Sequence, residues 1–324
     1  MVEKVNVSVL GCGRWGTFLA WYANKIGHKV LLWGREQSKN YLKLQETRMN
    51  DYVRLPQEII LSNSLENAVS FGEIIIISIS AQELRSFAHR ISLLENIGNK
   101  VFVLCMKGLE AKSGKRLSQV FSEEMGGNSK LGIWVGPGHV QDFVKEIPNC
   151  MVIDSEHIEV TQKVAEEFNS CLIRFYYGQD LIGNEIGAAA KNVIGLAAGM
   201  LDGLCYSSLK GALMARGTRE ISRLVGAMGG NDTTIYGLSH LGDYEATLFS
   251  MHSNNRKFGQ AFVSGEKFEK LAEGVSTLEA LKYLAQIYGV DLPICNAVYE
   301  IIFEKQDAKE KLLDLFLRPI KFEF

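Results

Sequence analysis

A cationic excess is the first thing this sequence lacks: 35 Lys and Arg face 37 Asp and Glu, a formal net charge of −2. With no overall basic field and no local basic patch, no nucleic-acid partner is expected, and small molecules are favoured. Cysteine chemistry is missing as well. Cys12, Cys105, Cys150, Cys171, Cys205 and Cys295 form no CxxC pair and accompany no cluster of histidines, which argues against a disulfide framework and against structural zinc. No metal is expected, and a reducing cytoplasm fits. The N-terminus, MVEKVNVSVLG, lacks the cationic start and cleavage site of a signal peptide, and no apolar run reaches the length of a membrane span. There is no repeat, low-complexity tract or long linker, so whatever domains form are expected to pack together.

What is present is ordinary globular material: 324 residues, 47% hydrophobic, enough for about two domains. Short β-branched runs alternate with helical stretches through the first half. Strands are expected over residues 5–10, 29–33, 73–79, 100–105, 131–135, 150–153 and 171–176. The run IIIISI, residues 74–79, shows no in-out alternation, as befits a central strand covered on both faces. After about Asp180 the texture changes to IGNEIGAAAKNVIGLAAGMLDGL, with small residues at helical spacing, and few strand signals follow. The expected fold is α/β: a doubly wound, mostly parallel sheet over residues 1–180, then an all-helical domain over 181–324. The small residues of the opening helix suit a buried element that another helix approaches closely.

Directly after the first strand stands Gly11-Cys12-Gly13-Arg14-Trp15-Gly16, opening a helix expected over residues 17–26. In that setting GxGxxG reads as a Rossmann-type dinucleotide fingerprint. Gly11 makes the tight turn, Gly13 lets backbone approach a pyrophosphate, and Gly16 lets helix and strand pack closely. The bland alternative, a glycine turn with no ligand, loses ground because strand, helix and second strand fall at the right spacing. The second strand ends in LLWGRE, where Arg35 suits a 2′-phosphate and adjacent Glu36 a ribose hydroxyl. The balance favours NADP(H), with NAD(H) open. FAD also uses such a fingerprint.

Several separated motifs then coincide. GCGRWG, LWGRE, MKGLE (106–110), VGPG (135–138), AAKNV (189–193), LGDYEAT (241–247), NNRKFG (254–259) and AEGV (272–275) occur in an order that resembles the NAD(P)-dependent glycerol-3-phosphate dehydrogenase family, over nearly the whole chain. The resemblance implies an oxidoreductase for the reversible reduction of dihydroxyacetone phosphate to sn-glycerol 3-phosphate, a phospholipid head-group precursor. It also implies a homodimer. Two rivals stand beside it: a dehydrogenase of the same architecture for another phosphorylated polyol or hydroxy acid, and a catalytically silent nucleotide-binding sensor.

On this resemblance Lys191 of AAKNV matches the catalytic base, exchanging a proton with the substrate C2 oxygen; taken alone, a lysine in an Ala-rich helix reads as solvated. Lys107 matches the lysine that meets substrate and cofactor at the carboxyl edge of the sheet. Asp243 matches the aspartate beside that ammonium, although a turn or cap residue after Gly242 is a serious competitor. Thr247, four residues on, shares its face if the segment is helical. Gly136, Asn192, Ser253, Asn254, Asn255 and Arg256 complete the substrate set, with Arg256 as the candidate phosphate cation. Arg14, Trp15, Val140 and Glu273 join Gly11, Gly13, Gly16, Arg35 and Lys107 on the cofactor side. The chain departs from the family pattern at Asn254, where an arginine is usual, at Gly138-His139-Val140, where Ser or Thr precedes Phe-Ala, and at Ile79-Ser80-Ala81, where Val-Pro-Ser is usual.

Overall fold

The computed structural model describes residues 4–95, 97–127, 129–320 and 322–323; residues 1–3, which open the N-terminal segment read above as lacking a signal peptide, lie outside the described residues. The chain divides into two compact units, Met1–Lys107 with Arg116–Glu185, and Gly108–Lys115 with Ile186–Phe324. The first holds β1 (Asn6–Leu10), β2 (Lys29–Trp33), β3 (Ile60–Ser62), β4 (Ile74–Ile77), β5 (Val101–Leu104), β6 (Lys130–Val135), β7 (Asn149–Asp154) and β8 (Ile173–Tyr177). Between them run α1 (Arg14–Lys25), α2 (Lys39–Thr47), α3 (Leu65–Phe71), α4 (Leu84–Ser92), α5 (Leu117–Met125), α6 (Val140–Val144) and α7 (Ile158–Phe168). The strands form one sheet in the order β3-β2-β1-β4-β5-β6-β7-β8.

Each neighbouring pair is parallel except β6–β7. The exception has a local cause. The β6–β7 link contains only α6, five residues or about 7.5 Å of helix, too short to run back along a strand of about 20 Å. The chain therefore turns into the sheet in the opposite direction. The isoleucines of β4 are all fully buried, as their lack of alternation implied. Two expectations are corrected. β3, an edge strand of three partly exposed residues, was not anticipated, because so short a run has no periodicity to read. And α1 begins at Arg14 rather than Thr17, with Gly13 as its N-cap, so the last glycine of the fingerprint lies inside the helix.

The helix α8 (Leu181–Gly203) spans the passage from the first unit to the second, which continues with α9 (Lys210–Ala227), α10 (Asn254–Ser264), α11 (Glu273–Tyr288), α12 (Pro293–Phe303) and α13 (Ala308–Asp314). Residues 183–200 of α8 are buried without a break, and its glycines explain how. A Cβ on Gly199 would lie 1.9 Å from the Arg256 carbonyl oxygen, and one on Gly259 of α10 would lie 2.1 Å from that of Leu196. The two helices thus cross backbone to backbone. The segment Gly108–Lys115, between β5 and α5, belongs to this unit: a Cβ on Gly114 would meet Tyr283 and Leu284 of α11. Among the described residues no helix is long and apolar enough to cross a membrane.

Two buried titratable side chains of the second unit pull stability in opposite directions with pH. Glu220 of α9 accepts the backbone N–H groups of Ile294 and Cys295, capping α12 from outside, yet burial pushes its carboxyl up from 4.5 to about 7. Burial pushes His240 down from 6.5 to about 4. Glu220 contributes stability that is complete below pH 4.5 and lost as pH rises through about 7; His240 contributes stability that is complete above 6.5 and lost as pH falls through about 4. Between pH 4.5 and 6.5 the slopes offset. Glu220→Gln should therefore make the slope of unfolding free energy in that window more positive, by up to about 1.4 kcal/mol per pH unit. Urea titrations across the window read this slope, and one unchanged by the substitution would show that Glu220 titrates normally.

Candidate active site

In the first unit the fingerprint sits where the sheet reverses its order: β1 is flanked by β2 on one side and β4 on the other. That is the switch point at which open α/β sheets bind ligands beyond the strand ends. Gly11 has φ +120°, and a Cβ there would lie 2.1 Å from the Ser78 carbonyl oxygen; one on Gly16 would lie 1.8 Å from that of Gly11. These two glycines are therefore forced by packing. Gly13 is different: a Cβ there would meet nothing within 4 Å. The open space above it, an N-cap with no side-chain hydrogen bond and a first turn with no acidic residue leave the α1 N-terminus fit for a pyrophosphate. Arg14 lies over the Tyr52 ring and Trp15 against Phe18 and Phe143. Arg35, exposed just past β2, is 3.5 Å from Glu83; Glu36 is exposed beside it.

At the ends of β5 and β6, Lys107 Nζ donates to the Gly136 carbonyl oxygen at 2.6 Å, bringing two of the expected residues together. Val140 is buried at the start of α6. The Gly138 departure has a steric reason. Its φ is +147°, and a Cβ would lie 2.3 Å from the Phe143 ring, which itself stacks on Phe18. A serine here is excluded by Phe143, so Gly138→Ser should cost about 2 kcal/mol or more in unfolding free energy, and Phe143→Leu beside it should recover part of that. Equal melting of Gly138→Ser and wild type would contradict this account.

The second unit gathers most of the remaining residues. Lys191 Nζ lies 2.9 Å from Asp243 Oδ2 and donates to Thr247 Oγ1 at 2.7 Å. The Thr247 hydroxyl in turn donates to the Asp243 carbonyl oxygen at 2.7 Å, so its lone pair faces the ammonium. All three side chains are buried, Lys191 with 9% and Asp243 with 1% of its side chain exposed. Asp243 ends a 3₁₀ turn (Leu241–Asp243), and Thr247 sits in a single π-turn (Glu245–Phe249), so the helical condition set for their shared face is met only by irregular turns. Single π-turns of this kind concentrate at functional sites.

Nearby, Asn255 Nδ2 donates to Asn192 Oδ1 at 3.0 Å, and Asn255 Oδ1 accepts the Gly274 N–H at 2.9 Å, tying α8, α10 and α11 together. Ser253 caps α10 by accepting the Arg256 N–H, and Asn254 reaches the Leu271 carbonyl. Glu273 opens α11. Arg256 is already engaged: its Nε is 2.5 Å from Asp202 Oδ2, which Lys210 also contacts at 2.7 Å. The trio carries one net positive charge. Sequence reasoning missed Lys210, Asp202 and the buried pair His240 and Tyr244; for the last two, spacing of i to i+4 around GD was the only available signal.

Comparison with known proteins covers both units. Residues 6–161 match the model of the NAD-dependent glycerol-3-phosphate dehydrogenase N-terminus, and residues 180–312 that of its C-terminus. A glycerol-3-phosphate dehydrogenase [NAD(P)+] of Pelodictyon phaeoclathratiforme is 34% identical, over 98% of this chain and 99% of its own. One of Clostridium botulinum is 37% identical over the same shares. The crystal structure of glycerol-3-phosphate dehydrogenase from Coxiella burnetii superposes with a TM-score of 0.89 at 27% identity, covering 97% of this chain and 99% of that one. With both family models matched and relatives above 30% identity along almost its full length, the chain belongs to the NAD-dependent glycerol-3-phosphate dehydrogenase family.

Proposed function

We propose that this protein is an NAD(P)H-dependent oxidoreductase that reversibly reduces dihydroxyacetone phosphate to sn-glycerol 3-phosphate, with residues 1–180 binding the dinucleotide and 181–324 carrying substrate and proton chemistry. The observation that carries the reading is the buried Lys191 ammonium held between Asp243 and Thr247, in a chain whose relatives bear the name glycerol-3-phosphate dehydrogenase [NAD(P)+].

Gly11, Gly13, Gly16 and the first turn of α1, with Arg14, Trp15, Val140 and Glu273, would hold the dinucleotide, whose nicotinamide when bound supplies the hydride to C2. Arg35 favours a 2′-phosphate and hence NADP(H). Lys191 donates a proton to the C2 oxygen during reduction and takes it back as neutral amine during oxidation. Asp243, 2.9 Å from the ammonium, orients it. Thr247, its own proton committed to a carbonyl, accepts from the same ammonium and fixes its direction. Lys107, held by the Gly136 carbonyl, contributes a second cation. Asn192, its carbonyl taken by Asn255, offers amide donors. Asn254, Asn255, the Ser253-capped start of α10 and the net charge of the Arg256 trio make the phosphate cradle.

Asn254, standing where the family pattern has arginine, favours a second reading in which the substrate is another phosphorylated polyol. Oxidation of NADPH and of NADH, followed at 340 nm with dihydroxyacetone phosphate and a panel of phosphorylated ketoses, separates the two. Turnover of the triose in preference to the panel is the expected result; good activity with a different ketose and none with the triose would replace it. The same resemblance implies use of the product in phospholipid synthesis and a homodimer, and the scattered cysteines fit a reducing cytoplasm.

A further inference from the structure

We propose that His240 and Tyr244 are positioning residues: by clamping the segment around Asp243 onto α8 they set where the Lys191 ammonium stands. The inference rests on the role given to Lys191 above. Both side chains are fully buried, and in sequence they bracket Asp243. His240 Nδ1 is 2.7 Å from the Gly187 carbonyl oxygen, one helical turn before Lys191 on α8, and the Tyr244 hydroxyl is 2.6 Å from His240 Nε2. A carbonyl can only accept, so Nδ1 carries the proton. The neutral ring then offers Nε2 as an acceptor, and the phenol donates to it. One protonation pattern satisfies the whole chain from phenol to imidazole to carbonyl.

The clamp is close on both sides. A Cβ on Gly187 would lie 3.0 Å from the His240 Cβ, and one on Gly217 of α9 would lie 3.3 Å from the Tyr244 hydroxyl. The two rings meet edge to face, 4.8 Å apart. Anchoring from outside is needed here because a 3₁₀ turn followed by a π-turn is too irregular to fix Asp243 and Thr247 by its own ladder. Burial, with the Lys191 charge, pushes His240 down to about 4 against the Gly187 bond and Asp243. The imidazole therefore adds no charge beside the ammonium at neutral pH. Burial pushes the Tyr244 phenol up; Glu220 on α9 and Cys295 on α12 are the other titratable groups facing it.

A pair that served only the core would change stability and leave turnover per folded molecule alone. Two variants of the full chain separate the roles: Tyr244→Phe removes one donor and keeps the ring, and His240→Asn keeps a donor for Gly187 but no acceptor for the phenol. In each, kcat with dihydroxyacetone phosphate should fall about tenfold or more with KM changed less than about threefold, since a small misplacement of an acid is felt in the chemical step. Acetylation of Lys191 by acetic anhydride, followed by peptide mass spectrometry, should run several-fold faster than in wild type, with exposed Lys39 as the internal control. Folded variants with wild-type kcat and wild-type Lys191 labelling would overturn the proposal. So would a wild-type imidazole ¹⁵N spectrum in which His240 titrates near pH 6.5 or carries its proton on Nε2, and this spectrum decides the matter if neither variant folds. If wild type leaves the triose unreduced while Lys191 labelling still responds, the substrate reading fails and the clamp stands.

Discussion

Lys191→Ala should lower kcat for the triose by about 10³-fold or more while NADPH binds as tightly as to wild type. The first part follows from removing the proton donor, a contribution of about 10²–10⁴ where a side chain acts as general acid, together with the cation beside the developing alkoxide. The second follows because the substitution leaves the glycine turn and the α1 N-terminus, where the pyrophosphate would sit, intact. There is a structural side effect. Asp243, 1% exposed, loses the ammonium 2.9 Å away, and a buried carboxylate stripped of its partner costs about 3–5 kcal/mol. Adding Asp243→Asn should return much of that stability and none of the turnover. Fluorescence titration with NADPH, stopped-flow turnover and thermal melts on both variants read the three quantities separately. A single variant that turns over within tenfold of wild type would remove Lys191 from the reaction.

Gly199→Ala should be among the most damaging one-carbon additions in the helices of the second unit. In an exposed helix the same change stabilises by up to about 1 kcal/mol. At Gly199 the sign reverses, because the new carbon would lie 1.9 Å from the Arg256 carbonyl oxygen and 2.9 Å from the Gln260 nitrogen, both backbone atoms that cannot rotate aside. Relief requires α8 and α10 to separate, which opens a buried crossing and should cost on the order of 4 kcal/mol. The start of α10 carries Ser253, Asn254 and Asn255, so KM for the phosphorylated substrate should rise in whatever protein folds. Gly211→Ala supplies the control, since nothing lies within 4 Å of its added carbon and it should melt no lower than wild type. Equal melting of the two variants would mean that the helices are not held in backbone contact.

The sheet was legible because its signals are local. A glycine fingerprint after β1, an unalternating Ile run in β4 and β-branched stretches set between helical ones each follow from a few adjacent residues. The grouping of Lys191, Asp243 and Thr247 was legible only through resemblance, since a lysine and an aspartate 52 positions apart carry no mutual signal in one sequence (243 − 191). What escaped altogether depends on distant atoms. The reason for Gly138 is the ring of Phe143; the pairing of Arg256 depends on Asp202, from a different helix; and the His240–Tyr244 chain ends on a carbonyl of α8. Spacing rules reach one helical turn, and these contacts lie beyond it.

The detour of Gly108–Lys115 into the second unit bears on the order in which the polypeptide matures on the ribosome. The N-terminal unit has all its parts once Glu185 has emerged, whereas this short segment, already synthesised, must wait for α11 to appear before Gly114 meets Tyr283 and Leu284. Domain borrowing of this kind makes the chain hard to cut: a gene divided after Glu185 yields a C-terminal fragment without one of its own pieces, and only reassociation with the other fragment supplies it.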